Sequence, residues 1–210
     1  MRAGDAVVVF DGAGFEAHGT ITGMGRRGLE VELKPAEPVS RESALAICLA
    51  QGISTGDRMD YTVQKAVELG ATCIQPLATE RSVVRLDAER ADRRLDHWRA
   101  VAASACEQCG RNLLPEIAPV MPLREWLAGV QSHAGTRLTL DPTGDDRLAS
   151  LPARSGVTLL AGPEGGLSSA ELDAARQAGF VGVRLGPRIL RTETAAVAAM
   201  AAMQALWGDF

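Results

Sequence analysis

Between residues 44 and 206 the sequence keeps changing its hydrophobic period, and that constrains the fold more than any other feature. Short apolar runs at 44–50, 73–77, 137–140, 157–161 and 181–185 read as strands. Interleaved with them, residues 57–69, 88–109, 123–130, 169–178 and 194–206 fit helices. Strands alternating with helices build an α/β fold with a mostly parallel sheet, because parallel neighbours need a long crossover that a helix supplies. In such sheets ligands bind beyond the carboxyl ends of the strands. Chemistry is therefore expected in the loops that leave the last three strands.

The first forty residues read differently. Val7-Val8-Val9-Phe10, a turn at Asp11-Gly12-Ala13-Gly14, alternation from Phe15 to Ile21, and Leu29-Glu30-Val31-Glu32-Leu33 describe three short strands joined by glycine turns. Three strands without a helix bury too little to stand alone. Residues 35–43, with two prolines and mixed charges, read as a linker, so the expected units are 1–40, a small β module, and 44–210. A chain of 210 residues that is 46% hydrophobic suits one large or two small domains and excludes disorder. Residues 1–20 carry no apolar signal core, and the longest apolar run, from Thr194 to Met203, is shorter than a membrane span, so the expected location is cytoplasmic.

A net charge of −4 argues against blanket binding to nucleic acid but leaves room for a local basic patch. Only Lys34 and Lys65 are lysines, so that patch must be built of arginine. Aromatic residues, at 4%, are too few for a base-stacking sheet. Cys106 and Cys109 have C-x-x-C spacing, yet Cys48 and Cys73 sit singly in apolar runs, so reduced core thiols are expected and no metal site. His18, His97 and His133 are scattered and form no triad.

Leu159-Leu160-Ala161 runs into Gly162-Pro163-Glu164-Gly165-Gly166, and Ser168-Ser169-Ala170-Glu171 has the spacing of a capping box. Such a loop either makes a tight turn or brings backbone amides close to a ligand. It is neither a dinucleotide fingerprint nor a triphosphate-binding loop. The next strand ends in Leu185-Gly186-Pro187-Arg188-Ile189-Leu190-Arg191-Thr192-Glu193-Thr194, with an exposed-looking Leu190, Thr192 able to cap the following helix and Glu193 in its first turn. Arg188 and Arg191 are either solvated charges or anion holders. Residues 195–205 are apolar all round, which requires burial in the core or against a second subunit. Asp141 before Pro142 either holds a ribose hydroxyl or starts a turn, and the turn is the commoner role. Arg111 and Asn112, after a helix that ends at Gly110, are expected to be exposed near the strand ends. The acids and arginines of residues 87–111 otherwise interleave as on a solvated helix face.

These two C-terminal loops, together with Gln64-Lys65-Ala66-Val67-Glu68-Leu69-Gly70, Thr79-Glu80-Arg81-Ser82 and Cys106-Glu107-Gln108-Cys109-Gly110-Arg111-Asn112, resemble in order and spacing the bacterial small-subunit ribosomal RNA uridine-N3 methyltransferases, RsmE type, of the SPOUT superfamily. The resemblance implies a catalytic domain with a C-terminal trefoil knot, preceded by a PUA-like β-barrel module that binds RNA. It implies S-adenosylmethionine held by three loops, here Leu140, Asp141 and Pro142; Ala161, Gly162, Pro163, Glu164, Gly165 and Gly166; and Leu185, Gly186, Ile189 and Leu190, with Thr194 beyond them. It implies a homodimer and, as substrate, 16S rRNA within the small ribosomal subunit. Met1-Arg2-Ala3-Gly4-Asp5 matches the interior of the family's module, so about thirty residues of the pattern have no counterpart and the barrel is expected to be truncated.

For such a reaction Arg191, with Arg188, is expected to position phosphate or stabilise negative charge on the base, and Glu164 to accept a proton or contact RNA. The RNA-contact candidates are Arg81, Arg85, Arg111, Asn112, Arg188 and Arg191, and the arginines near Arg81, Arg111, Arg188 and Arg191 are expected to gather on one face. The alternatives are a non-catalytic RNA-binding or ribosome-assembly factor and a methylase of another RNA.

Overall fold

The structure, a computed structural model, describes residues 1–26, 28–82, 87–130 and 135–210; Arg85 and His133 lie outside them. The chain divides into two compact units, Met1–Glu42 with Cys106–Leu114, and Ser43–Ala105 with Pro115–Phe210.

In the first unit β1 (Ala6–Phe10), β2 (Phe15–Gly25) and β3 (Gly28–Leu33) form an antiparallel meander. Asp11 sets the first turn: its Oδ1 accepts from the amides of Ala13 at 2.7 Å and Phe15 at 3.1 Å, while Gly12 and Gly14 take positive φ. The region read as a linker contributes a fourth strand, β4 (Glu37–Pro38), paired with Phe15 and Glu16 of β2. Two residues, one of them proline, are too few to show a period, which is why the strand escapes the sequence. Arg41, also in that region, ion-pairs with Glu16 and donates to the carbonyl of Gly110 at 3.0 Å.

Residues Cys106–Leu114 complete this unit. The Leu114 amide donates to Gly12 O at 3.0 Å and the Gly14 amide to Asn112 O at 3.2 Å. The Asn112 side chain donates to Val39 O at 2.8 Å, and Arg111 ion-pairs with Glu42. Arg111 is 6% exposed and Asn112 1%. The expectation that both are exposed is therefore incorrect: a helix end read from sequence as surface is buried against Val39 and Glu42, in the segment after β4 some seventy residues earlier in the chain. The Arg111→Ala variant should lose about 2–4 kcal/mol of stability by leaving Glu42 without its buried partner. Denaturant titration with Trp fluorescence and limited proteolysis of residues 1–42 would measure it.

The second unit runs β5 (Ala46–Gly52), α1 (Asp57–Glu68), β6 (Ala71–Ala78), α2 (Ala88–Cys109, the last four residues counting with the first unit), β7 (Glu116–Ile117), β8 (Met121–Pro122), α3 (Leu123–Gly129), β9 (Thr136–Leu140), β10 (Gly156–Ala161), α4 (Ser169–Gln177), β11 (Val181–Val183) and α5 (Thr192–Trp207). Its sheet is parallel throughout, in the order β11-β9-β10-β5-β6-β7, with β8 also on β6. The central strands are buried on both faces, as their unbroken apolar runs demand. Trp126 on α3 packs against Phe180 in a tilted pair with ring centroids 5.8 Å apart, in a cluster with Leu77, Leu123, Leu127, Leu160 and Leu167.

Strand order places the functional loops. Because β10 lies between β9 and β5, its loop is flanked by the loop after β9 on one side and the loop after β5 on the other. From the outer strand β11 the chain then returns to the middle, where α5 packs on α1 and β10. Ala196, Ala199, Met200, Met203 and Gln204 are buried, whereas Thr194, Ala205 and Leu206 are exposed. Within this chain α5 is thus buried on one face, not all round.

Candidate active site

β10 delivers the chain into the glycine loop with no slack. A Cβ on Gly162 would lie 2.8 Å from the Leu167 amide nitrogen, and one on Gly52, at the end of β5, 2.6 Å from the Pro163 ring. Gly166, at φ 66°, closes a turn through its amide to Pro163 O at 2.8 Å. The helix beyond begins with a capping box: Ser168 Oγ accepts from the Glu171 amide at 3.2 Å, and Glu171 Oε2 accepts from the Ser168 amide at 2.8 Å. Glu171 Oε1 also accepts from the Glu80 amide at 2.8 Å, which ties residues after β6 to the same turn. Next to Glu80, Arg81 donates to Gly165 O at 3.0 Å and Leu167 O at 3.3 Å, so this arginine braces the loop from outside.

The start of α5 is locked onto the same loop. Thr192 Oγ1 donates to Gly162 O at 2.6 Å and accepts from Gln51 Nε2 at 3.1 Å. Gln51 Nε2 also faces Gly162 O at 3.1 Å and Gly52 O at 2.9 Å. Thr192 does not cap the helix, the role expected of it: its hydroxyl is taken by the glycine loop, the N-cap position falls to Arg191, and the helix starts two residues earlier than expected.

Around these ties opens a cavity of about 640 Å³ lined by three loops, at Leu140–Pro142, Ala161–Gly166 and Leu185–Leu190. Of the residues named for the cofactor, Thr194 alone is not among its walls; it is exposed on α5. Arg81, Arg188 and Arg191 line it too. Leu190 is half-buried in the wall, whereas its neighbour Ile189 is 85% exposed. Thr143, Leu172, Arg58 and Arg184 join the lining without having been singled out from sequence, and Glu193, expected only as a first-turn acid, joins it too. Arg58 lies about a hundred residues before the glycine loop, and no local pattern marks it.

The three carboxylates of the cavity differ from its arginines. Asp141 Oδ1 accepts from the amide and hydroxyl of Thr143 at 2.9 and 2.7 Å, and its Oδ2 from Arg176 at 3.1 Å. That is the turn-forming role, with both oxygens engaged. Burial pushes its pKa up, but the Thr143 and Arg176 contacts prevail and hold it below the usual range. Glu164 Oε1 accepts from the Thr55 amide at 2.9 Å, the Thr55 hydroxyl at 2.7 Å and Arg58 Nη1 at 3.0 Å. Burial again acts upward, yet the Thr55 and Arg58 donors dominate and hold Glu164 at about 2. A carboxylate that acidic is a poor proton acceptor at neutral pH. Glu193 Oε1 lies 4.0 Å from Arg58 Nε. Among the described residues Arg188 and Arg191 have no ion-pair partner, and both are exposed.

Elsewhere all four cysteines are free, and burial pushes the Cys106 thiol up to about 11. Among the described residues no helix is long and apolar enough to cross a membrane.

Two variants test the assembly of the site. Thr192→Val should cost about 0.5–1.5 kcal/mol by removing the 2.6 Å bond to Gly162 O, which then keeps only the Gln51 amide, while Thr192→Ser stays near wild type in urea denaturation. For Glu164 the sign follows from its lowered pKa: its stabilisation is present above its ordinary value near 4.5 and is lost as pH falls through about 2. The stability difference between wild type and Glu164→Gln should therefore shrink over that window and stay constant above it.

Comparison with known proteins supplies the family. Residues 41–204 match the model described as an RNA methyltransferase domain, and residues 1–34 that of an RNA methyltransferase PUA domain. A ribosomal RNA small subunit methyltransferase E from Buchnera aphidicola subsp. Schizaphis graminum is 33% identical over 100% of this chain and 85% of its own length. That of Bacillus subtilis is 30% identical over 97% and 82%. Among solved structures, the Neisseria gonorrhoeae ribosomal RNA small subunit methyltransferase E bound to S-adenosyl methionine is 42% identical with a TM-score of 0.91, covering 100% of this chain and 86% of its own. A Legionella pneumophila protein solved with the cofactor SAM is 38% identical with a TM-score of 0.94 over the same shares. This chain, with its three-loop cavity at the carboxyl ends of a parallel sheet, belongs to the RNA methyltransferase family of the small-subunit enzymes E.

Proposed function

We propose that the protein transfers the methyl group of S-adenosylmethionine to N3 of a uridine in 16S rRNA of the small ribosomal subunit, as a cytoplasmic homodimer. The observation that carries this reading is the cavity, in which glycine backbone and apolar side chains face Arg188 and Arg191, which among the described residues no carboxylate pairs with. Its volume, about 640 Å³, falls within the range of small-molecule sites. Leu140, Leu185, Leu190 and Leu172 offer walls for a flat apolar ring, and the turn at Gly162–Gly166 allows a ligand to approach its backbone. These features fit the cofactor that the solved relatives carry. When bound, S-adenosylmethionine supplies an electrophilic methyl group on a sulfonium centre.

The chain's own residues then divide the work. Uridine N3 is protonated at neutral pH and becomes nucleophilic as the anion. Arg191, with Arg188, stabilises that negative charge or seats the neighbouring phosphate, since both line the cavity, are exposed and have no ion-pair partner among the described residues. Glu164, already committed to Thr55 and Arg58, positions the loop and does not take the proton. Arg81 is divided between bracing Gly165 and any RNA contact. Arg111 and Asn112 serve RNA binding by shaping the first unit, whose strands and PUA-domain match support a PUA-like RNA-binding module. The return of the chain from β11 to the sheet centre is compatible with the trefoil knot of the superfamily, and the open face of α5 suits the second subunit.

Replacing Arg191 or Arg188 by alanine should lower single-turnover methylation of small subunits by roughly 10²–10³-fold at Arg191, with calorimetric affinity for S-adenosylmethionine unchanged. Wild-type transfer should accelerate as pH rises from 6 to 8, because more N3 is ionised, and Glu164→Gln should keep that slope. A bell-shaped profile lost in Glu164→Gln would reverse the assignment of Glu164.

A further inference from the structure

Arg58 stands where two walls of the cavity meet. It lies in the first turn of α1, whose N-cap, Gly56, has no side-chain hydrogen bond to cap the helix. A remote carboxylate lies beside this entrance: Glu164, on the loop after β10, accepts from the Thr55 amide just before the N-cap as well as from Thr55 Oγ1 and Arg58 Nη1. An anion at a helix N-terminus is favoured by the exposed amides and the helix dipole. On its other edge the same guanidinium reaches toward Glu193, the second residue of α5, with Nε 4.0 Å from Oε1. Glu164 belongs to the wall made by the glycine loop, and Glu193 follows directly on the loop that carries Arg188 and Arg191. One planar group thus spans the two segments between which the cofactor must fit. A guanidinium can bridge two carboxylates along separate edges, whereas an ammonium is a point charge that cannot hold both at fixed spacing.

We propose that Arg58 is a positioning residue for methyl transfer: by bridging Glu164 and Glu193 it sets the spacing of the glycine loop and the head of α5, and so controls affinity for the cofactor without touching the reacting atoms. This inference rests on the proposed activity with S-adenosylmethionine. The side chain is partly exposed, 41%, so the bridge is adjustable rather than a buried pair on which folding depends.

The test is a kinetic split on the full-length protein with small subunits as substrate. Arg58→Ala should raise the KM for S-adenosylmethionine about tenfold, with kcat at saturating cofactor and the KM for RNA each within about twofold of wild type. Arg58→Lys should fall between, Glu193→Gln should move the same constant in the same direction, and the double variant Arg58→Ala/Glu164→Gln should be no worse than Arg58→Ala. Added guanidinium ion should partly restore cofactor affinity to Arg58→Ala, which a general loss of structure would not allow. Arg58→Lys and Glu193→Gln keep the test decisive if the alanine variant folds poorly. The inference is overturned if Arg58→Ala lowers kcat or raises the RNA KM while the cofactor KM stays put, or if no constant changes. Calorimetry separates this from the activity itself: wild type that takes up no S-adenosylmethionine removes both, whereas wild type and Arg58→Ala that bind it equally remove only the role of Arg58.

Discussion

The site depends on a buried junction of one amide, one hydroxyl and one carbonyl. Gln51 from β5, Gly162 after β10 and Thr192 at the head of α5 are about 111 and 30 residues apart in sequence, yet they meet at hydrogen-bond distance. Two amide hydrogens of Gln51 are shared among three acceptors in a place shielded from water, where an unmet polar group is costly. Because Gly162 admits no side chain and Gly52 packs on Pro163, the three segments approach more closely than any larger residues would permit. This junction ties the glycine loop to the head of α5, directly after the loop that carries Arg188 and Arg191.

From that arrangement follows an asymmetry of charge. The carboxylates that line the cavity face inward to Thr143, Arg176, Thr55 and Arg58, and serve the protein's own geometry. Arg188 and Arg191, at the last loop, are exposed and among the described residues have no ion-pair partner. A site built this way suits an anionic substrate and a developing negative charge better than it suits proton abstraction by a carboxylate. Net negative charge over the whole chain is compatible with this, since binding to phosphate depends on the local distribution.

How legible this was in the sequence varied with range. Helices with caps and long buried strands were readable because period and capping are local: residues 88–109 form the helix expected, and Ser168 with Glu171 the expected box. The α/β class and the three loops followed from the same local signals. Strands of two residues, β4, β7 and β8, carry too little pattern to show. Roles decided by partners distant in sequence were also hidden. Nothing near Arg111 announces Glu42, nothing near Glu164 announces Thr55 and Arg58, and Thr192 looks like a cap until Gly162 is beside it. Arg188 and Arg191 are exposed, and among the described residues neither has such a partner.

The central claim is that this cavity directs a methyl group onto a uridine of the small subunit's RNA. The most direct measurement incubates the protein with isotopically labelled S-adenosylmethionine and either intact small subunits or naked 16S rRNA, then maps the modified nucleotide by mass spectrometry. The account predicts one labelled N3-methyluridine at a single position, formed in intact subunits. Label on another atom or another RNA would contradict the assignment of N3, and cofactor uptake with no transfer to either substrate would contradict catalysis itself.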